Sequence, residues 1–260
     1  MIPKLVGVLN LTPDSFSDGG EFLEPEKALE HARKLIGDGA ALVEIGGDST
    51  RPGSVCVGAS EEWRRIEPVA RVLQAEGIPY SVDTHQAEVG RQALALGALM
   101  INDVSGGRNL ELLSTLKGKP AKVVLMYSRC NRPHEFSERE SGDILHNIKN
   151  VLKKSAAQAL ACGLTREQII LDPGMGAFLS DDPSDSFSVA ERFGELQELG
   201  FPLMLAASRK GFLRAASERS PKDRDAASVA LAKRVWIQSA GEIPQYIRAH
   251  EIRLHRQELR

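Results

Sequence analysis

The chain has few of the features that assign a sequence at once to a familiar class of protein. Its three cysteines, Cys56, Cys130 and Cys162, are widely spaced and form no C-x-x-C pair, so the sequence indicates neither a disulfide framework nor a cysteine zinc site. No apolar run approaches the length that crosses a membrane, and nothing at the amino terminus resembles a signal peptide. The formal net charge of -2 gives no electrostatic basis for binding nucleic acid or an anionic membrane. We therefore expect a soluble cytoplasmic protein without nucleic-acid or membrane partners.

What the chain does contain is a regular alternation of short apolar segments with amphipathic ones. The apolar segments are typical of buried strands in a parallel sheet, and they are Leu5–Leu9, Leu42–Ile45, Ile78–Val82, Met100–Asp103, Val123–Met126, Ile169–Leu171, Pro202–Leu205 and Tyr246–Ala249. The amphipathic segments have apolar residues at helical spacing, and they are Pro25–Ile36, Glu61–Ala75, Gln86–Leu96, Leu110–Leu116, Ile144–Leu160, Phe187–Leu199, Asp225–Ile237 and Glu251–Leu259. This order predicts an α/β protein with a (β/α)8 TIM barrel, formed by residues 1–260 as a single domain. A doubly wound open sheet gives the same alternation, but no G-x-G-x-x-G fingerprint follows the first strand.

The most informative segment reads V-G-V-L-N-L-T-P-D-S-F-S-D-G-G and spans Val6–Gly20. Its apolar beginning suits a buried strand, which Pro13 cannot continue because proline lacks an amide donor. The strand therefore delivers Asn10 and a polar loop at its carboxyl end. In α/β barrels this is the end at which active sites are found.

Polar side chains also follow most of the other predicted strands, and in a barrel these strand ends converge on one face. Asp83, Asn102 and Asp172 supply carboxylates and an amide. Such groups suit a flat nitrogen heterocycle that has several N–H and C=O groups along one edge. Lys210 could contact a carbonyl or ring nitrogen of the same heterocycle.

A second set of strand-end residues suits an anion. Asn10, Arg248 and His250 could hold a diphosphate, with a divalent ion bridging to Asn10. Each residue alone has an ordinary explanation, because Asp and Asn at strand ends often cap the next helix and Arg248 could pair with a surface acid. The repetition at the same end of a regular series favours a functional site. The six histidines form no metal-ligand cluster, and no Ser–His–Asp or Cys–His set falls at neighbouring strand ends.

Together these motifs resemble those of the dihydropteroate synthase family. The segment Asn10–Gly20 and the segment I-G-G-D-S-T-R-P-G at Ile45–Gly53 resemble the family's first two signatures, which are long and specific. Shorter motifs follow in family order, namely S-V-D-T at Ser81–Thr84, I-N-D-V at Ile101–Val104, I-L-D-P-G at Ile170–Gly174, S-R-K at Ser208–Lys210 and R-A-H at Arg248–His250. The resemblance spans essentially the whole chain and implies a barrel enzyme of folate biosynthesis that is usually a homodimer.

The resemblance further implies a reaction and a set of site residues. The reaction joins 6-hydroxymethyl-7,8-dihydropterin diphosphate to 4-aminobenzoate, with Mg²⁺ as cofactor near Asn10. The implied pterin-binding residues are Asp83, Asn102, Asp172, Lys210, Met126 and Met175. The implied diphosphate-binding residues are Asn10, Arg248 and His250, and the implied aminobenzoate-binding residues are Thr50, Arg51, Pro52 and Ser208. The implied catalytic residues are Asp83, Lys210, Asn10, Arg248 and His250, with Asp83 stabilising the cation that forms when diphosphate leaves.

The chain departs from the family pattern at two places. Tyr127 stands where the family usually has His, and residues 175–180, M-G-A-F-L-S, replace a run of an aromatic residue, Gly, Phe, Gly and Lys. The second form resembles that of the transferable, sulfonamide-insensitive members, so the sequence leaves the sulfonamide response open. Two alternatives also stay open. A pterin-binding methyltransferase would not need the Asn10–Gly20 loop or the S-R-K and R-x-H motifs, and a paralogue without synthase activity is favoured only by the two departures.

Overall fold

The computed structural model describes residues 2–11, 23–49, 55–129, 142–215, 218 and 220–260. The strands within these residues are β1 (Lys4–Asn10), β2 (Leu42–Gly46), β3 (Tyr80–Asp83), β4 (Met100–Asp103), β5 (Lys122–Met126), β6 (Ile169–Asp172), β7 (Met204–Leu205) and β8 (Tyr246–Ala249). The α-helices are α1 (Leu23–Asp38), α2 (Ala59–Ala75), α3 (Ala87–Ala95), α4 (Leu110–Thr115), α5 (Ile144–Ala161), α6 (Pro183–Glu191), α7 (Asp225–Gln238) and α8 (Ile252–Glu258).

The strands form one parallel sheet in the order β6-β5-β4-β3-β2-β1-β8-β7. A parallel bridge between Leu171 and Leu203 joins the two ends of this order, so the sheet curls into a barrel. A helix follows each strand, as in the (β/α)8 TIM barrel that the sequence predicts. No helix in the described residues combines the length and apolar character needed to cross a bilayer.

Most predicted elements have ends within two residues of the observed ones, but the predicted sixth helix is wrong in its bounds. The helix begins earlier, at Pro183, and Phe193–Leu199 forms 3-10 turns instead. Asp182 caps α6 by accepting a hydrogen bond from the amide of Ser184, and proline is well suited to the first helical turn. The sequence signal for the beginning of α6 was therefore the capping Asp182 with Pro183, and the spacing of apolar residues alone did not indicate it.

The side chains that fill the barrel lie in layers. One layer is apolar and consists of Val6, Leu42, Met100, Val124, Ile170, Met204 and Tyr246, which form a buried cluster separate from the larger apolar cluster beneath the helices. Because side chains alternate across a strand, residues two positions further along point the same way. This next layer, at the carboxyl ends of the strands, is largely polar and contains Glu44, Asp83, Asn102, Met126, Asp172 and Arg248.

Candidate active site

An arginine lies between two carboxylates in the polar layer. Arg248 on β8 donates from Nε to Glu44 Oε1 on β2, and its Nη2 lies 3.2 Å from Asp83 Oδ2 on β3. Asn102 on β4 approaches the same Glu44 oxygen, with its Nδ2 at 3.4 Å. Glu44 is only 1% exposed. A buried ion pair is costly to desolvate, so this one is weak evidence for stability and points to a role in positioning.

The opposite side of the layer is formed by β6 and by the loops that follow β6 and β7. Asp172 Oδ1 accepts a hydrogen bond of 2.7 Å from the amide of Gly174. Lys210 Nζ donates to the carbonyl oxygen of Met175 at 3.0 Å and lies 4.6 Å from the centroid of the Phe178 ring. The loop that contains Met175 is thereby held against the segment that follows β7.

Gly174 is needed for this arrangement. Its φ of +68° lies in the left-handed region, and a Cβ at this position would lie 2.4 Å from the backbone oxygen of Tyr127. Only glycine permits the chain to pass so close to the neighbouring strand end. The turn then places Met175, which is fully buried, beside the polar layer.

Charges that are crowded together shift the acid–base behaviour of the site. Burial, reinforced by the negative charge of Glu44, raises the pKa of Asp83 to about 8 against the attraction of Arg248. Burial also raises the pKa of Asp172 and lowers the pKa of Lys210 to about 8. For Arg248, burial acts against the charge, but the carboxylates of Glu44 and Asp83 outweigh it, so its pKa is raised. Perturbed groups gathered in one place are typical of functional sites.

Several buried acceptors of this layer have no hydrogen-bond partner within the described residues. They are Glu44 Oε2, Asp83 Oδ1 and Asn102 Oδ1, and the buried Ser81 hydroxyl is also without one. Leaving a buried acceptor unsatisfied costs free energy, and native proteins avoid it. A ligand with several N–H groups along one edge would satisfy these oxygens.

Comparisons with known proteins agree with a site for such a ligand. The family model described as pterin binding enzyme matches residues 6–240. The type-2 dihydropteroate synthase of Escherichia coli is 37% identical over 250 residues, which is 96% of this chain and 91% of that protein. This chain belongs to the dihydropteroate synthase family.

Solved structures of dihydropteroate synthases match this barrel closely. The Clostridium difficile enzyme, solved in the presence of pteroic acid, has a TM-score of 0.88 and 34% identity, and the match covers 99% of this chain and 94% of that one. The Xanthomonas albilineans enzyme, solved with 4-aminobenzoic acid, has a TM-score of 0.88 and 34% identity, covering 99% and 91%. The match supports the fold over nearly the whole synthase.

The synthase brings the predicted pterin-binding residues together at one end of the barrel. Strand register pairs Asp83 with Asn102 and Met126 with Asp172. Lys210 lies close enough to Asp172 for the carboxylate to raise its pKa against the effect of burial. The roles of these side chains stay predictions, but the side chains lie close enough together to line one pocket.

The residues predicted for the anion and for aminobenzoate are distributed differently. Arg248 lies against Asp83 rather than apart from the pterin set, so it connects the two predicted groups. Ser208 Oγ lies 2.9 Å from His250 Nδ1 and also accepts from the His250 amide at 3.1 Å. Asn10 ends β1 and is partly exposed. Thr50, Arg51 and Pro52 lie outside the described residues.

Sequence reasoning missed Glu44 and the contact of Phe178 with Lys210. Glu44 lies in the middle of β2, two residues after the inward-facing Leu42, whereas the predicted site residues lie at or near the carboxyl ends of their strands. Strand alternation was the signal that could have found it, because a charged residue at an inward position of a buried strand is unusual. Nothing in the sequence indicated that Phe178 contacts Lys210.

The two departures from the family pattern lie in different surroundings, because residues 175–180 border the site through the contacts of Lys210 with Met175 and Phe178. Tyr127 and Leu179 are both buried in the apolar cluster between the sheet and the helices. Tyr127, which stands where the family usually has His, thus packs within the apolar cluster around the barrel.

The possible metal ligands of this site fit a Mg²⁺ ion only if most of its other ligands come from a bound diphosphate. The described residues contain no group of three or more His, Cys, Asp or Glu arranged to hold a metal. Mg²⁺ prefers oxygen ligands and is often held by one or two protein oxygens together with substrate phosphates. The amide oxygen of Asn10 fits an ion that is held mainly by a diphosphate.

Proposed function

We propose that this synthase joins 6-hydroxymethyl-7,8-dihydropterin diphosphate to 4-aminobenzoate, giving 7,8-dihydropteroate and diphosphate. The observation that carries the proposal is the set of buried acceptor oxygens without partners in the described residues, on Glu44, Asp83 and Asn102. The cationic side chains of Arg248 and Lys210 lie near them. A reduced pterin offers an amino group and ring N–H groups along one edge. This pattern of donors complements the acceptors.

Binding of the pterin uses both polar and apolar contacts. Asp83, Asn102 and Asp172 accept hydrogen bonds from the donor edge of the ring, and Lys210 donates to its carbonyl or ring nitrogen. The buried side chains of Met126 and Met175 pack on the ring faces, where a flexible thioether adapts well to a flat surface. The ring is thereby held at the bottom of the barrel mouth with its substituent directed outward.

The reaction begins with loss of the leaving group. The bond between the pterin methylene carbon and the diphosphate oxygen breaks, and both electrons go to that oxygen. The methylene carbon becomes cationic and conjugated with the ring. Asp83 stabilises the developing positive charge in its ionised form, after losing the proton that its raised pKa retains near pH 7. The amine nitrogen of 4-aminobenzoate then attacks this carbon and gives up a proton to form the product.

The departing diphosphate is stabilised by donors at the rim of the site. His250 and Arg248 donate to its oxygens, and the amide oxygen of Asn10 would help to hold Mg²⁺ beside it. The ion, when bound, neutralises part of the negative charge that develops on the leaving group. Thr50, Arg51, Pro52 and Ser208 are expected to form the aminobenzoate pocket, as the resemblance implies.

The synthase is further expected to be a homodimer, because the family resemblance implies one. Light scattering on the purified protein measures its mass in solution. A mass near twice that of the 28.3 kDa chain is the expected result, and a monomeric mass would contradict the dimer without affecting the reaction.

The direct test measures diphosphate release from the pterin substrate with Mg²⁺, with and without 4-aminobenzoate. We expect release to depend on 4-aminobenzoate and dihydropteroate to accumulate. The Asp83→Asn variant should lose this activity, while Asp38→Asn, at the end of α1, should retain it. Pterin binding without product would instead indicate a paralogue that has lost the synthase reaction, and absence of pterin binding would refute the proposal.

A further inference from the structure

Two neighbouring side chains after β7 reach in different directions. Ser208 Oγ lies 2.9 Å from His250 Nδ1 on the segment that follows β8. Lys210 Nζ donates to Met175 on the loop that follows β6, at 3.0 Å. Only Arg209 separates them, so the backbone must turn sharply at this residue.

The turn at Arg209 is made in an unfavourable conformation. Its φ is +58°, and Arg209 and Ala240 are the non-glycine residues of the described chain with a positive φ. A residue with a Cβ is disfavoured in the left-handed region, because the Cβ crowds the backbone. Such a conformation persists only where the surroundings impose it.

The start of α7 supplies the contacts that impose it. The guanidinium of Arg209 forms a two-nitrogen fork with Asp225, with Nε–Oδ1 at 2.7 Å and Nη2–Oδ2 at 2.8 Å. The Arg209 amide donates to Ser228 Oγ at 3.0 Å, and Arg224 Nη1 donates to the Arg209 carbonyl at 2.7 Å. The amide, the carbonyl and the side chain of one residue are thus all bound to the same helix start.

The direction of these contacts separates Arg209 from its two neighbours. Its guanidinium is engaged by Asp225, whereas Ser208 and Lys210 contact His250 and the Met175 loop. A charged fork of this kind fixes orientation as well as adding energy. The fork therefore acts on the site through the backbone rather than by contact with a ligand.

We propose that Arg209 is a positioning residue, whose clamp to the start of α7 holds the left-handed turn that directs Ser208 to His250 and Lys210 to the pterin pocket. This rests on the proposed function in so far as His250 and Lys210 bind substrate. The Ser208 hydroxyl accepts from the His250 amide and lies 2.9 Å from His250 Nδ1, where we assign the hydroxyl as the donor. That bond favours the tautomer in which Nε2 holds the proton and can donate to an anion.

The proposal is tested by two substitutions at one position. Arg209→Ala removes the fork and leaves a residue that is disfavoured in the left-handed region, so the turn should relax. We expect kcat to fall about 10²-fold, the loss that a misplacement of about 1 Å produces. Arg209→Gly also removes the fork, but glycine adopts the left-handed region without penalty. It should therefore recover most of the activity that Arg209→Ala loses.

A second readout does not depend on turnover. Histidine labelled with ¹⁵N reports the tautomer and hydrogen bonding of His250 by NMR, with His250→Gln identifying its signal. We expect the signal to change in Arg209→Ala and to resemble that of the native protein in Arg209→Gly. Asp225→Ala should reproduce Arg209→Ala, and the double variant should be no worse than either, because both break the same clamp.

A matched control comes from the surface of the barrel. Arg192 forms the same kind of fork with Asp143, at 2.7 and 3.0 Å, and Arg192→Ala should leave kcat and the His250 signal unchanged. If Arg209→Gly is as inactive as Arg209→Ala, the guanidinium itself acts and the proposal is wrong. If Arg209→Ala or Asp225→Ala keeps the native kcat and the native signal, the clamp positions nothing. If the native protein makes no dihydropteroate, the proposed function fails, and the NMR comparison still decides the positioning role.

Discussion

Asp83→Asn should make the synthase more stable and nearly inactive. The pKa of Asp83 is raised from 3.8 to about 8, first by burial and then by the charge of Glu44. Between these values the folded protein holds a proton that the unfolded chain has released, so the free energy of unfolding falls as pH rises through this range. Asparagine has the same shape but never ionises, so the variant escapes this loss.

The size of the effect follows from the pKa values. One pKa unit corresponds to about 1.4 kcal/mol, so the span from 3.8 to pH 7 amounts to roughly 4 kcal/mol at most. In the folded protein at pH 7 the protonated Asp83 and the substituted Asn are both neutral acceptors for Arg248, so this hydrogen bond changes little. We expect Asp83→Asn to be more stable than the native protein at pH 7 by up to roughly 4 kcal/mol. Its kcat should fall at least about 10²-fold, because the cation loses its anionic partner.

The assay compares urea unfolding of the native protein and the variant, without ligands, near pH 4 and at pH 7. The difference in unfolding free energy should be close to zero at the lower pH and should favour the variant at the higher one. A difference that is the same at both pH values would refute the reasoning, because Asp83 would then not hold a raised pKa. A variant with native turnover would remove Asp83 from the mechanism.

Three further predictions concern the polar layer and the loops beside it. Glu44→Gln should raise the KM for the pterin substrate about tenfold, a loss of about 1.4 kcal/mol, because Arg248 loses the charge that holds it, and an unchanged KM in steady-state assays would contradict this role. Gly174→Ala should lower the free energy of unfolding by about 2 kcal/mol or more, because the left-handed φ and the 2.4 Å contact of the added Cβ both oppose a side chain. The control is Gly97→Ala, at a φ of +88° with no atom near the added Cβ, which should lower it by only about 1 kcal/mol. Equal decreases in the free energy of unfolding, measured by denaturation, would count against the clash at Gly174. Burial lowers the pKa of Lys210 to about 8, so loss of its proton should lower kcat/KM above that pH. In a pH–rate profile, Lys210→Arg should move this fall in kcat/KM to higher pH. A fall at the same pH in the native protein and in the variant would contradict this role of Lys210.

The barrel itself could be predicted from the sequence because each strand and helix carries its own local pattern. Apolar runs between Gly, Pro and Asp mark the strands, and the confirmed order of eight such pairs leaves few folds to choose from. Helix α6 was misplaced because its apolar residues continue into Phe193–Leu199, where the chain turns more tightly. Asp182 and Pro183 marked the true beginning, and local capping decided over periodicity.

The site could be predicted in composition but not in its contacts. Asp83 and Asp172 end their strands and Asn102 lies one residue before the end of β4, so these polar residues stand out at the close of an apolar run. Glu44 was missed because it lies within the strand, and its pairing with Arg248 joins residues that are 204 positions apart in the sequence. Contacts across such distances are set by the curvature of the sheet, which no local pattern encodes.

The junction between β6 and β7, where the barrel closes, has a consequence for the hydrogen exchange of backbone amides. Strand β7 is two residues long, and the junction with β6 consists of the bridge between Leu171 and Leu203 with one 2.9 Å hydrogen bond from the Leu171 amide to Pro202. Asp172 and Lys210 stand on the two sides of this junction. A pterin that contacts both would link β6 to the segment after β7, where few backbone hydrogen bonds join the strands. Ligand binding should therefore slow hydrogen exchange at the amides of Leu171 and Leu205. The slowing should be greater than at residues of the continuous ladder between β1 and β2.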